Sequence, residues 1–478
     1  MSLERVLPAA PITRIADAPY GGNGSGLVAA RRLGRTAVIE DLAAAGLRGR
    51  GGAGFPTARK WAAVQGLESR DLPATVVVNA AEGEPGSYKD RSLIQRNPYA
   101  VIEGALIAAF AVDADRVIIG TRASFTEENA ILERAIGEVR EAGWADDVII
   151  DVRPGPEEYL VGEETALLEV IDGRPPFPRV APPYRRGVDE VSVEEYDDDD
   201  VEPPPTLANN VETCAHVAAI MAEGPAWFRQ FGTDSSPGTF VCTVSGPGVQ
   251  RAGVGEYALG TPLLTIIHEL GNGVPDGHEI AFVLPGVANP LVPGAALGVP
   301  ATYEDLQAIG SGLGCGAYLV FDDHTDPAAV AAGVSRFLAV ESCGQCTPCK
   351  QDGVAISQLL DRVDASEREP LDLLAIADHL GTITDSARCY LAEQHQRVVG
   401  SILRAFEPAL RAHIERGHAS PPSERVLISP IVRIDDGVAV LEERLRTKQP
   451  DWTFDPVDSG QAPADRYGAS RREHAPPA

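Results

Sequence analysis

Short apolar runs and helix-period stretches alternate through the first half of the chain. Residues 26–46 carry apolar positions at helical spacing and end in DLAAAG, which predicts a helix closed by a glycine. PATVVVNA, DRVIIGT and DVIIDVRPG read as three strands, with a helix over residues 126–142 and another beginning near Glu163. That alternation predicts an α/β layer with a mostly parallel sheet, whose ligands gather beyond the C-terminal ends of the strands. Residues 174–205 are rich in proline and acid, including Asp197 to Asp200, and read as a solvated, mobile insertion.

The pattern then changes character. TFVCTVSGPG, AGVGEYALGTPLLTIIHEL and EIAFVLPG alternate short strands with one helix, a β-grasp-like module over residues 237–329. Residues 330–418 are helical, with amphipathic runs such as VVGSILRAFEPALRAHIERG. Residues 419–478 form a C-terminal extension of mixed pattern, and DSGQAPADRYGASRREHAPPA reads as a disordered tail. The length of 478 residues suits about three domains.

Charge and composition narrow the function classes. A net charge of -28 disfavours nucleic acid and anionic lipid as partners, because both are polyanions. The N-terminus lacks a basic region followed by an apolar run, and no run of about eighteen apolar residues occurs later, so we expect a cytoplasmic protein with no membrane insertion of its own.

Seven cysteines are too few and too odd in number for a disulfide framework. Three of them, Cys343, Cys346 and Cys349, stand at two-residue spacing in ESCGQCTPCK, and Cys389 follows forty residues later. A [4Fe-4S] cluster takes one thiolate per corner iron, and such a turn can supply three while another element brings the fourth. A zinc site stays open on this spacing, although no second CxxC knuckle is present. Cys214, Cys242 and Cys315 read as small buried residues, and His216, His268, His324 and His395 show no ligand spacing.

The loop GLRGRGGAGFPTARKW holds Gly49, Gly51 and Gly54 at G-x-G-x-x-G spacing. A helix precedes it where a dinucleotide fingerprint needs a strand, so the standard Rossmann reading is not supported. The glycines still let backbone N–H groups approach a phosphate or a flavin ring, and an ordinary tight turn remains the alternative.

Taken in order, GLRGRGGAGFPTARKW, NAAEGEPGSYKDR, VGEETALLEVIDG, PTLANNVET and ESCGQCTPCK with Cys389 closely resemble the NADH-binding flavoprotein subunits of respiratory complex I, NAD-linked hydrogenases and formate dehydrogenases. The likeness covers roughly residues 26–418 and implies a Rossmann-like FMN-binding domain over 26–236, a soluble-ligand-binding β-grasp domain and a helical [4Fe-4S] domain. It implies an NADH dehydrogenase that passes hydride-derived electrons through FMN to the cluster. By resemblance, Gly49, Arg50, Gly51, Gly52 and Gly54 line the FMN, Phe55, Lys60 and Tyr184 face the dinucleotide, and Asn79 and Glu82 contact the flavin. Asn209, Asn210 and Thr213 would hold its phosphate or ribityl side. Glu84, Glu163 and Glu164 would lie on the nicotinamide side, with Glu84 and Glu164 as the candidate catalytic carboxylates.

Several residues depart from the family pattern. Ala81 stands where an Asp is usual, Ala63 where a Phe is common, Val161 where a Cys is usual, and Glu158 replaces a small residue before Tyr159. These changes cluster on the nucleotide side. A non-catalytic electron-transfer or assembly subunit with a decayed nucleotide pocket is therefore the rival expectation. The resemblance also implies a thioredoxin-like [2Fe-2S] subunit and a larger iron-sulfur subunit as partners.

Overall fold

The computed structural model describes residues 2–18, 24–67, 73–188, 204–364, 372–416 and 426–448. Its first layer is a four-stranded sheet of β1 (Ala74–Asn79), β2 (Ala114–Arg122), β3 (Ile149–Gly155) and β4 (Thr206–Asn210). The spatial order is β3-β2-β1-β4 and every pairing is parallel. A parallel strand covered on both faces must be apolar on both, which is why β1 reads Thr-Val-Val-Val with all four residues buried.

The expected helix over 26–46 is two helices, Ser25–Leu33 and Arg35–Ala45, broken at Gly34. Sequence patterning passed over the helix Pro98–Val112, because it is apolar almost all round and shows no periodicity. Pro98 opens it, and the Asn97 side chain caps the Ala100 N–H. It lies against the helix Val211–Glu223 so closely that a Cβ at Gly104 would stand 1.9 Å from the Cys214 carbonyl oxygen. Only glycine permits that contact.

The second layer is a five-stranded sheet ordered β6-β5-β9-β7-β8, from β5 (Thr239–Ser245), β6 (Gly253–Ala258), β7 (Ile280–Pro285), β8 (Val292–Pro293) and β9 (Ala317–Asp322). The helix Leu263–Gly271 packs on it through Ile266 and Ile267. A helical region follows: Pro327–Glu341, Thr347–Asp364, Asp372–Thr382, Leu391–Ala405 and Glu407–Arg416. One apolar cluster joins Leu160 of the first layer, Phe282 and Leu284 of the second and Phe337, Ile356 and Val399 of the helices, so the three regions share a core.

Residues 426–448 are ordered as a strap with a hairpin, β10 (Ile431–Asp435) and β11 (Val438–Leu441). It touches all three regions: Arg91 donates to the Val432 carbonyl at 2.5 Å, Ala252 N–H donates to the Gly437 carbonyl at 2.6 Å, and buried Lys448 donates to Glu341 at 2.7 Å. The expected disordered tail, residues 458–478, and the acidic run Asp197 to Asp200 lie outside the described residues. No described helix is long and apolar enough to cross a membrane.

Candidate functional site

Two constructions meet between the first layer and the helical region. The helix Pro327–Glu341 ends at Ser342 in extended backbone, and Gly344 turns the chain at φ 80° before the next helix starts at Thr347. This hook brings Cys343, Cys346 and Cys349 onto one pocket, and the turn before Leu391–Ala405 adds Cys389. Leu160 from the first layer and Pro178 complete the wall beside Gln345 and Arg388. Gln345 donates to the Pro178 carbonyl at 3.2 Å and to the Cys343 sulfur at 3.5 Å.

The pocket is hostile to free thiolates. Burial pushes Cys349 and Cys389 up to about 12, with the neighbouring cysteines adding to it, and raises Cys343 as well. Ionising this set takes a strongly positive centre among the sulfurs. Four thiolates on a single zinc ion would stand only ~3.8 Å apart. Four cysteines on one pocket suit a multi-iron cluster, in which each thiolate holds its own iron.

The second construction surrounds the glycine loop. Arg50 N–H donates to Thr213 Oγ1 at 2.9 Å and Gly49 N–H to the Phe55 carbonyl at 2.8 Å, which fixes the loop over the C-terminal ends of β1 and β4. Gly54 sits at φ 62°, and a Cβ there would stand 2.4 Å from the Tyr303 ring. Around Gly52 the nearest atoms, at Gly314 and Cys315, are at van der Waals distance, so a flat ring can approach the backbone. Asn209 Nδ2 is buried with no hydrogen-bond partner among the described residues, at the edge where the sheet should receive its ligand. An orphaned amide at the C-terminal edge of the sheet suits a flavin, which presents acceptors to such a donor.

Most of the other expected contacts have structural employment. The Arg50 guanidinium turns away from the loop and donates to Tyr303 Oη at 3.1 Å and to the Thr239 carbonyl at 3.0 Å. Asn210 caps the Val211–Glu223 helix at the Glu212 N–H and donates to Asp90 at 2.7 Å. Beneath it, Lys89 contacts Asp90 at 2.7 Å and Glu212 at 2.9 Å in a fully buried knot. Burial alone would lift Glu212, but Lys89, His216 and Arg50 outweigh it and hold the carboxyl down to about 2. Glu82 accepts from the Lys89, Asp90 and Arg91 N–H groups and from Ser87 Oγ, so it caps the helix Lys89–Arg96. Asn79 donates to the Gly162 carbonyl at 2.8 Å.

Glu163 caps the helix Glu164–Ile171 through the Thr165 and Ala166 N–H groups. Glu164 is ion-paired with Lys60, which also donates to the Ala208 carbonyl at 3.0 Å. Phe55 and Tyr184 are exposed aromatics, 48% and 39% accessible, as stacking surfaces for a base must be. Ala81 lies in a buried apolar group with Val77, Ile118, Val161 and Leu167. The departures at Ala81 and Val161 fall in the same apolar cluster, and an acid at 81 would enter apolar packing.

Sequence reasoning missed the link between the two constructions. Glu84 accepts from Tyr159 Oη at 2.6 Å and from the Val287 N–H at 2.6 Å. Gln394, one turn past the pocket-lining Leu391, donates to Tyr159 Oη at 2.8 Å. Tyr159 N–H is held by Glu341 at 2.8 Å, and its ring packs edge-on against Phe337 at 5.2 Å. Burial pushes the Glu84 carboxyl up to about 7, against the Tyr159 and Val287 hydrogen bonds. A tyrosine just before the G-E-E-T run was visible in the sequence, but its partner on a distant helix was not.

Comparisons with known proteins agree with this arrangement. Residues 42–219 match the Nuo51 FMN-binding domain, and residues 329–413 match the NADH-ubiquinone oxidoreductase-F iron-sulfur binding region. The chain is 33% identical over 387 residues to an F-type component of NADH-quinone oxidoreductase in Rhizobium meliloti, covering 79% of this chain and 89% of that protein. It is 33% identical over 394 residues to the mitochondrial NADH dehydrogenase [ubiquinone] flavoprotein 1 of Dictyostelium discoideum, covering 80% of each. A crystal structure of NAD+-reducing [NiFe]-hydrogenase in the H2-reduced state superposes with a TM-score of 0.73 at 30% identity, covering 88% of this chain and 71% of that one.

Proposed function

This chain belongs to the family of NADH dehydrogenase flavoproteins, the F-type components of NADH-quinone oxidoreductases, and from that premise we propose how its own residues run the relay from NADH to the thiol pocket. FMN, when bound, accepts a two-electron hydride and gives electrons up singly to the [4Fe-4S] cluster, which takes one at a time. The protein supplies placement and charge. Gly51 and Gly52 expose backbone to the flavin, Asn209 Nδ2 donates to it, and Thr213 fixes the loop through Arg50 N–H. Phe55 and Tyr184 offer faces to the adenine, and Lys60, steered by Glu164, faces the dinucleotide phosphates.

Burial raises the Glu84 carboxyl to about 7, and it accepts from Tyr159 Oη, so it can hold a proton near neutral pH. Cys343, Cys346, Cys349 and Cys389 hold the cluster. The observation that carries the reading is the Glu84-Tyr159-Gln394 chain, which fastens the loop after β1 to the helix beside Cys389. That joint keeps donor and acceptor at fixed separation.

The chain works within a multi-subunit complex with iron-sulfur partners. Its specific neighbours are a thioredoxin-like [2Fe-2S] subunit and a larger iron-sulfur subunit, and the complex lies in the cytoplasm. The rival expectation of a decayed nucleotide pocket finds no support in the comparisons. Purified chain should carry stoichiometric flavin and reduce ferricyanide with NADH. Full iron with neither flavin nor NADH oxidation would overturn the enzyme reading.

A further inference from the structure

Strands β7 and β9 pair antiparallel with Ile280 opposite Asp322. The ladder continues past that pair, because Asp323 N–H donates to the Glu279 carbonyl at 2.9 Å and Glu279 N–H donates to Asp323 Oδ1 at 2.9 Å. One step further in this register residue 278 faces residue 324, and both are histidines. Their ring centroids are 4.0 Å apart. Spacing along the chain gave no hint of this, since His324 has no partner at motif distance; the register makes one.

Asp323 completes the group, and one donor atom from each of His278, Asp323 and His324 lies within 4.8 Å of the other two. Behind them, Asp322 is 4% exposed and its Oδ2 lies 2.7 Å from His278 Nδ1. Thr325 Oγ1 holds the other oxygen of that carboxylate at 2.6 Å. A carboxylate on Nδ1 fixes the tautomer in which Nδ1 carries the proton and Nε2 presents its lone pair. Two imidazoles and a carboxylate, one imidazole oriented from behind, make the donor set of a borderline divalent ion.

We propose that His278, Asp323 and His324 form a second metal site, for a divalent transition ion of the zinc class, separate from the four cysteines. Three protein ligands leave a further coordination position open to water. The site clasps the entry to β7 against the exit of β9, just before the helix Pro327–Glu341 that leads to Cys343. The ion therefore fastens the β-grasp rim at the point where the chain passes into the helical region.

The test uses the purified chain with its cluster intact, washed with chelator and titrated with zinc by calorimetry and with cobalt by absorption. One zinc per chain should bind, and His324→Ala, a change at an exposed position, should weaken it more than about 100-fold with cluster absorbance unchanged. Asp322→Asn should weaken it about 10- to 100-fold by loosening the His278 ring. Cobalt should show nitrogen-oxygen ligand-field bands with no thiolate charge-transfer band. Zinc uptake that survives the His278→Ala, His324→Ala double variant would overturn the site, as would a thiolate band or no uptake at all.

Discussion

The thiol pocket and the carboxylate-rich rim of the glycine loop are built on different principles. Around the pocket, four sulfurs line one space, and Gln345 donates a side-chain hydrogen bond to Cys343. Around the rim, Glu82 and Glu163 cap helices, Glu212 sits in a buried ion knot, and Glu84 joins two layers. A residue type with one chemical use announces itself by spacing, whereas a carboxylate that also caps or bridges does not separate its two roles in sequence.

The largest effect that would break this comparison is at the pocket. Cys346→Ser should cut iron from about four per chain to near zero while bound flavin is largely kept, because a hydroxyl is a poor substitute for a thiolate. Iron and flavin analysis decide it. Retained iron would mean that Cys346 is as dispensable as any one rim carboxylate.

At the rim, loss should first appear as instability. Glu82→Ala removes a carboxylate that accepts from three consecutive N–H groups, and should cost about 1–3 kcal/mol in denaturant unfolding. Glu158 tests the rim through pH. Its carboxyl is fully buried, and burial pushes it up to about 7 despite Lys448 nearby. A carboxyl raised in the folded state contributes stability that is complete below about pH 4.5 and is lost as pH rises through about 7. Glu158→Gln should therefore flatten the fall in melting temperature over that window and stabilise the protein at pH 8 by about 1–3 kcal/mol.

The smallest effect concerns nucleotide choice. Glu164 is part-exposed and paired with Lys60, so Glu164→Gln should narrow the preference for NADH over NADPH by about fivefold at most. Glu84→Gln should leave that ratio unchanged, because both Glu84 oxygens face Tyr159 and Val287. Steady-state kinetics with both nucleotides compare the two variants.

Much of the fold was legible because local pattern and tertiary role agreed. The run Thr75 to Val78 is a strand by propensity and a buried parallel strand by topology, and ESCGQCTPCK is a hook by its glycine that turns its three thiols onto one pocket. Legibility ended where a residue's partner is far along the chain. Tyr159 with Gln394, Lys448 with Glu341 and His278 with His324 are each set by tertiary register or packing. The helix Pro98–Val112 was passed over for the opposite reason: complete burial erased its periodicity.

The central claim is that one flavin beside the glycine loop feeds one iron-sulfur cluster held by Cys343, Cys346, Cys349 and Cys389. Anaerobic titration of the purified chain with NADH, followed by paramagnetic resonance, tests it most directly. The expected result is a reduced-cluster signal that grows as the flavin absorbance bleaches, and bleaching without that signal in Cys346→Ser. A wild-type chain with full iron whose flavin bleaches while the cluster stays oxidised, or one that carries zinc in place of iron, would contradict it.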